Sequence, residues 1–141
     1  MKKYYIAYGS NMNLEQMKYR CPKAKVVGAA WMAGYELEFR GVATIVRNKK
    51  ESVPVLIWEI TKDCEIALDG YEGYPRMYRK EYVKVKINGK EEIAMVYIMN
   101  YGTKARPRPS YYEGIKEGYI TANFDDNALE YLDIKANEPN F

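Results

Sequence analysis

The sequence predicts an α+β fold, a mostly antiparallel sheet or small barrel with helices against it. Two observations carry this. Strand-like runs follow one another directly between residues 26 and 60 and again between 78 and 99, and strands joined by short turns pair antiparallel. Asn88-Gly89 separates two such runs and is the strongest hairpin signal in the chain. The expected order is β-α-β-β-β-β-α-β-β-α-α, and residues 1–141 read as one domain.

The elements follow in order. Residues 2–7 form a short strand, with Tyr4, Tyr5 and Ile6 supplying β-propensity. The strand runs into Tyr8-Gly9-Ser10-Asn11. Asn11 or Asn13 can cap the next helix; Leu14, Met17 and Cys21 give it an apolar face, and Pro22 stops it. Strand, glycine turn and helix N-terminus in that order offer unpaired N–H groups to an anion. Residues 26–32 read as a strand ended by a turn at Gly34. Residues 35–39 and 43–47 read as a strand pair around Gly41, and 48–52 as a polar loop. Residues 53–60 are a strongly apolar strand containing Trp58. Thr61 caps a helix over 62–68, with Asp63 favourable in its first turn. Gly70 and Gly73 then break the helical pattern and Pro75 prevents its return, which puts Glu72 on an irregular turn.

Residues 78–87 alternate: Val83, Val85 and Ile87 face one way, Tyr82, Lys84 and Lys86 the other. Residues 92–99 return as the partner strand, and 101–109 form a loop with basic residues and prolines. Ser110 and Glu113 have capping-box spacing ahead of a helix over 111–122. Asp125 or Asp126 starts a last short helix with Leu129 and Leu132 inward, and residues 137–141 are expected to fray or lie on the surface.

Composition narrows the chemistry. The 141 residues include no histidine, which removes Ser-His-Asp and Cys-His catalysis and any histidine-ligated metal. Cys21 and Cys64 are neither a CxxC pair nor enough for a zinc site. In an enzyme without an added cofactor, proton transfer then falls to Asp, Glu, Lys, Tyr or Cys. The net charge of +3 comes from scattered basic residues, so no nucleic-acid partner is expected. No window approaches a membrane span, the N-terminus lacks a signal-peptide apolar region, and two unpatterned cysteines fit a reducing compartment. A cytoplasmic monomer or homodimer without a membrane partner is the expectation. Fifteen tyrosines against three phenylalanines suit half-buried strand faces, with a few left to line a polar aromatic pocket.

Two motifs stand out. Tyr8-Gly9-Ser10-Asn11 by itself is ordinary turn chemistry plus a cap. Glu72 by itself is a surface charge, but Tyr71 and Tyr74 flank it in Asp69-Gly70-Tyr71-Glu72-Gly73-Tyr74-Pro75. A glutamate held among aromatic rings has its neutral form favoured, which suits a proton carrier near neutral pH.

In this order the motifs resemble the gamma-glutamylcyclotransferase-like family, which includes AIG2-like and gamma-glutamylamine cyclotransferase branches. The likeness covers most of the chain. It extends through Trp58-Glu59-Ile60, Tyr78 and Arg79, Ala94-Met95-Val96-Tyr97, and Pro109-Ser110 ahead of a helix. Met12 stands where Leu is frequent. The resemblance implies a small mixed barrel with a pocket at one end and cofactor-free chemistry. In that chemistry the α-amino group of a γ-glutamyl small molecule attacks its own γ-carbonyl, releasing 5-oxoproline and a free amine. It also implies Glu72 as general acid/base. Tyr8, Gly9, Ser10, Asn11, Tyr78 and Tyr97 would be substrate-binding. A non-catalytic binder of carboxylate ligands on the same fold is the alternative, and a nucleic-acid module of OB type a weaker one. The amine carried by the γ-glutamyl group stays open. The basic loop 104–108 is read first as a solvated surface and second as a contact for that amine.

Overall fold

The computed structural model describes residues 2–138, so the expectation for 137–141 falls mostly outside the described residues. Its centre is β1 (Lys3–Ala7), whose Tyr4, Tyr5, Ile6 and Ala7 are all buried. A strand buried on both faces needs neighbours on both edges. β3 (Val42–Ile60) pairs antiparallel on one side, Lys3 against Ile60 through Ala7 against Leu56. β5 (Lys90–Met99) pairs parallel on the other, Tyr4 against Ala94 and Tyr5 against Met95. β2 (Lys25–Arg40) flanks β3 and β4 (Tyr78–Ile87) flanks β5, giving the order β2-β3-β1-β5-β4.

The expected strands between 26 and 60, with their polar loop, are two long strands of one hairpin turning at Gly41, where φ is 80°. Tyr35 faces Arg47 and Ala33 faces Ser52, so residues 48–51 of β3 stand opposite Gly34 alone. Gly34, with φ of 90°, takes up that mismatch. The polar residues there are satisfied by distant partners. Asn48 donates to Glu36, and Lys135 pairs with Glu36 at 2.6 Å and Glu51 at 3.2 Å.

The sheet does not close into the expected barrel; β2 and β4 are its edges among the described residues. Side chains draw the start of β3 toward the β4–β5 pair instead. Thr44 Oγ1 accepts the Met99 N–H at 2.9 Å, and the Tyr78 hydroxyl donates to the Ala43 carbonyl at 2.7 Å. Asn88 and Gly89 both take positive φ, 53° and 78°, as the β4–β5 turn requires.

Of the two candidate caps near the start, Asn13 serves α1 (Leu14–Arg20), accepting the Gln16 N–H. Thr61 caps α2 (Lys62–Glu72), and Asp125 caps α4 (Asp126–Ala136). α3 (Pro109–Thr121) begins one residue before the expected capping serine. Pro109, with its fixed φ and absent N–H, takes the first position, so Ser110 lies inside the helix and no capping box forms. Ile115, Tyr119 and Leu132 fill the space between α3, α4 and the sheet. α3 crosses the 3-10 turn Ser10–Met12 at Gly118, where a Cβ would stand 2.7 Å from the Met12 carbonyl carbon. Only glycine permits that approach. No helix among the described residues is long and apolar enough to cross a membrane.

Candidate active site

The first motif leaves the end of β1 and turns at once. The Met12 N–H returns to the Gly9 carbonyl at 3.0 Å, so the N–H groups at the head of this turn have no preceding helical carbonyl to bond. Gly9 has ordinary negative φ; its smallness matters because a Cβ would lie 3.2 Å from Ala43 Cβ and 3.6 Å from the Tyr111 hydroxyl. Asn11 is buried and held on every side. Its amide donates to Tyr5, its side-chain oxygen accepts from Arg20 at 2.5 Å, and its carbonyl accepts from Trp58 Nε1 at 3.1 Å. Asn11 therefore fixes the turn in place instead of capping α1.

The second motif is more regular than its glycines suggest. α2 runs through Gly70 and ends at Glu72, with Gly73 as a left-handed cap (φ 65°, ψ 39°) and the Tyr74 N–H returning to the Asp69 carbonyl. A helical glycine costs about 1 kcal/mol. Anchors on the last turn offset it. Leu68 is fully buried, and Asp69 accepts the Tyr97 hydroxyl at 2.6 Å and pairs with Lys80 at 3.0 Å. Glu72 is thus aimed by a helix end tied to β4 and β5, not by an irregular turn.

The two motifs meet. Glu72, Tyr8, Gly9, Ser10 and Asn11 line one cavity, and Tyr78 and Tyr97 stand in the same wall. All seven residues singled out in the sequence come together there. Tyr5, Ile6, Ala43 and Tyr111 complete the lining. Tyr111 enters from α3, and its hydroxyl accepts the Ala43 N–H at 3.0 Å. No motif marks it in the sequence. Arg20 is the other omission. Besides Asn11 it bonds Gln16, and its guanidinium lies 3.5 Å from the centre of the Tyr71 ring. The Gln16–Arg20 spacing of one helical turn was its only local signal. The cavity is narrow, about 20 Å³, on the scale of a single water. Beside it the Tyr71 hydroxyl is hydrogen-bonded to Ser10 Oγ at 2.9 Å.

Burial pushes the Glu72 carboxyl up to about 7, and the Arg20 charge pulls against that rise. Among the described residues no hydrogen bond or ion pair engages this carboxylate. Burial also lifts the hydroxyls of Tyr5, Tyr8, Tyr78 and Tyr111 above the usual phenol range, so they stay protonated at neutral pH. Two of these protons have defined acceptors: Tyr8 donates to the Tyr97 carbonyl at 2.6 Å and Tyr78 to Ala43. The wall thus combines fixed neutral hydroxyls, N–H donors and one carboxyl poised to change charge near neutrality. That set can move a proton beside a polarised carbonyl.

Residues 5–120 match the family model described as gamma-glutamyl cyclotransferase, AIG2-like. The chain belongs to this family. A human gamma-glutamylcyclotransferase is 32% identical over 151 aligned residues, covering 96% of this chain and 79% of the human protein. The mouse protein of the same name is 29% identical over 154, with the same coverage of each chain. Among solved structures of the fold, one called gamma-glutamyl cyclotransferase superposes with a TM-score of 0.83. It is 30% identical and covers 99% of this chain and 90% of its own. An uncharacterized human protein superposes at 0.86, also 30% identical, covering 99% of this chain and 89% of that one. The family's fold is therefore the mixed α+β arrangement described above, with an open sheet in this member.

Proposed function

We propose that this chain is a gamma-glutamyl cyclotransferase acting on a γ-glutamyl amine or γ-glutamyl amino acid, with Glu72 as its general acid/base. The α-amino nitrogen of the glutamyl group forms a bond to its own γ-carbonyl carbon, and the bond from that carbon to the leaving nitrogen breaks. Ionised Glu72 takes a proton from the attacking ammonium before the bond forms and a second from the same nitrogen after it, passing each to the leaving nitrogen, which departs with both. The products are 5-oxoproline and a free amine. The N–H groups of the Gly9–Asn11 turn bind the oxygen that becomes negative during attack, a contribution of several kcal/mol in a dry site. Because nucleophile and carbonyl belong to one molecule, much of the task is holding the folded-back conformer. The neutral hydroxyls of the tyrosine wall suit that task, since they orient polar groups without adding charge.

The observation that carries this reading is the Glu72 carboxyl, half-buried, free of partners among the described residues and raised to about 7, in one wall with Ser10. Glutamyl-sized substrates need a wider cavity than about 20 Å³. We infer that Tyr71, exposed, bonded to the lining residue Ser10 and stacked on Arg20, swings aside to admit substrate. No added cofactor is invoked, since a chain without histidine completes this cycle with a carboxylate alone. We place the reaction in the cytoplasm, where two free buried cysteines stay reduced.

The test is a mass-spectrometric screen of γ-glutamyl amines and γ-glutamyl amino acids for 5-oxoproline, before and after exhaustive chelation. Release that survives the chelator is expected. Absence of 5-oxoproline from every γ-glutamyl compound overturns the reading.

A further inference from the structure

A second depression adjoins the cavity. It is a groove of about 670 Å³ lined by Arg40, Met77, Arg106, Arg108 and Ser110, with the Tyr111 ring between it and the Glu72 cavity and lining both. Val42 in the groove precedes Ala43 in the cavity, and Met77 precedes Tyr78. The groove therefore adjoins the cavity that the reading above assigns to the glutamyl group.

Its charge is one-sided. Among the described residues no acidic side chain lines it. Arg40 is already compensated, bonded to Glu38 at 2.6 Å and to the Tyr101 carbonyl. Lys104, on the same loop, pairs with Glu138. Among the described residues the guanidinium groups of Arg106 and Arg108 make neither an ion pair nor a hydrogen bond. The loop that carries them is nonetheless fixed. The Ala105 N–H donates to the Phe39 carbonyl at 3.0 Å, and the Gly41 N–H donates to the Ala105 carbonyl at 2.9 Å. Pro107 and Pro109 alternate with the two arginines and restrict the backbone further. Two uncompensated guanidinium groups on a stiff rail fit carboxylates better than a neutral or cationic amine would.

We infer that Arg106 and Arg108 select a doubly charged leaving group, so that the preferred substrate is a γ-glutamyl dipeptide whose second residue is itself acidic. This rests on the cyclotransferase reading above and specifies which substrates that site takes. The α-carboxylate and the side-chain carboxylate of the leaving amino acid supply two charges for two arginines. Exposed pairs are each weak, so the two together are worth about tenfold in selectivity and diminish with salt.

The test compares kcat/KM for γ-glutamyl-glutamate with that for γ-glutamyl-methylamide, whose leaving amine carries no carboxylate. The wild-type enzyme, R106Q/R108Q and R106E/R108E are measured at low and high salt. In the wild type the preference for the acidic substrate is expected to shrink as salt rises, a result that needs no variant to fold. The ratio should fall about tenfold in R106Q/R108Q. In R106E/R108E it should reverse toward γ-glutamyl-ethylenediamine, which leaves as a cation. Turnover of both substrates with a ratio that neither salt nor the double substitution moves by more than about twofold overturns the inference alone. Failure of the wild type to release 5-oxoproline from γ-glutamyl-glutamate, when the wider screen finds another substrate, overturns this inference alone; failure across the whole screen overturns the cyclotransferase reading and this inference with it.

Discussion

The Tyr71 hydroxyl and Ser10 Oγ are 2.9 Å apart, although 61 positions separate them in the chain. The chain neighbour of Glu72 is thereby latched to the turn proposed to bind the substrate's oxygen. Tyr71→Phe removes the latch and keeps the ring stacked on Arg20. A net hydrogen bond of this kind is worth about 0.5–1.5 kcal/mol. The KM for a confirmed substrate should fall by up to about tenfold as the cavity opens more easily, with kcat changed less. A raised KM in steady-state assays would contradict the latch.

Glu72→Gln keeps the shape of the side chain and cannot carry the proton. Turnover should fall by about 10²–10⁴-fold while substrate binding persists. In the wild-type enzyme kcat/KM should climb with pH up to about 7 and then level, because the ionised form is the base. Glu59→Gln and Glu81→Gln are the controls and should change turnover by only a few-fold. A near-normal rate in Glu72→Gln would remove Glu72 from the chemistry.

The same substitution should raise stability. The Glu72 carboxyl titrates near 4.5 in ordinary surroundings and at about 7 in the fold. Between those values the folded protein holds a proton that the unfolded chain has released, so wild-type stability falls as pH rises through this window and is flat above it. At about 1.4 kcal/mol per pH unit the loss is on the order of 3 kcal/mol. Denaturant titrations should show Glu72→Gln gaining on the wild type between pH 4.5 and 7. A constant difference across that range would mean that burial does not hold the proton on Glu72.

Gly9→Val should impair turnover more than folding. A side chain there meets Ala43 Cβ at 3.2 Å and approaches the Tyr111 hydroxyl, crowding the cavity wall from the side of β3. The turn itself stays tied by Asn11. Thermal denaturation and turnover measured on one preparation decide it, and unimpaired turnover would show that the turn does not approach substrate.

Tyr119→Phe should stabilise the protein. Among the described residues the buried Tyr119 hydroxyl has no hydrogen-bond partner, and an unpartnered buried polar group costs about 1–3 kcal/mol. A rise in Tm of roughly 3–5 °C is expected by calorimetry. A fall would mean that the hydroxyl has found a partner in solution.

Much of the site was legible because its two halves are short and local. Tyr8-Gly9-Ser10-Asn11 announces a turn by its glycine, and Glu72 stands out by its aromatic neighbours. The sequence hid whatever depends on distant partners. Residues 48–52 read as a loop because they are polar, yet Lys135, 84 positions beyond Glu51, makes them tolerable inside a strand. Gly70 read as a helix breaker because Asp69 could not be seen to bond Tyr97 across 28 positions. The capping-box spacing at Ser110 and Glu113 misled for a local reason, since Pro109 claims the first helical position. Tyr111 carried no readable signal and Arg20 only its spacing from Gln16, because each matters through the surface it meets.

The crossing of α3 over the Ser10–Met12 turn also orders events during synthesis. Asn13 bonds the Gly114 carbonyl across 101 positions, and Tyr111 reaches Ala43 across 68. A growing chain holds the whole first motif, and then Glu72, while α3 is still unmade. Contacts so distant in sequence close late and slowly. Until α3 arrives, the turn lacks the helix that crosses it at Gly118 and the Tyr111 wall, so a ribosome-bound chain without α3 carries every residue of both motifs and no complete chamber in which to use them.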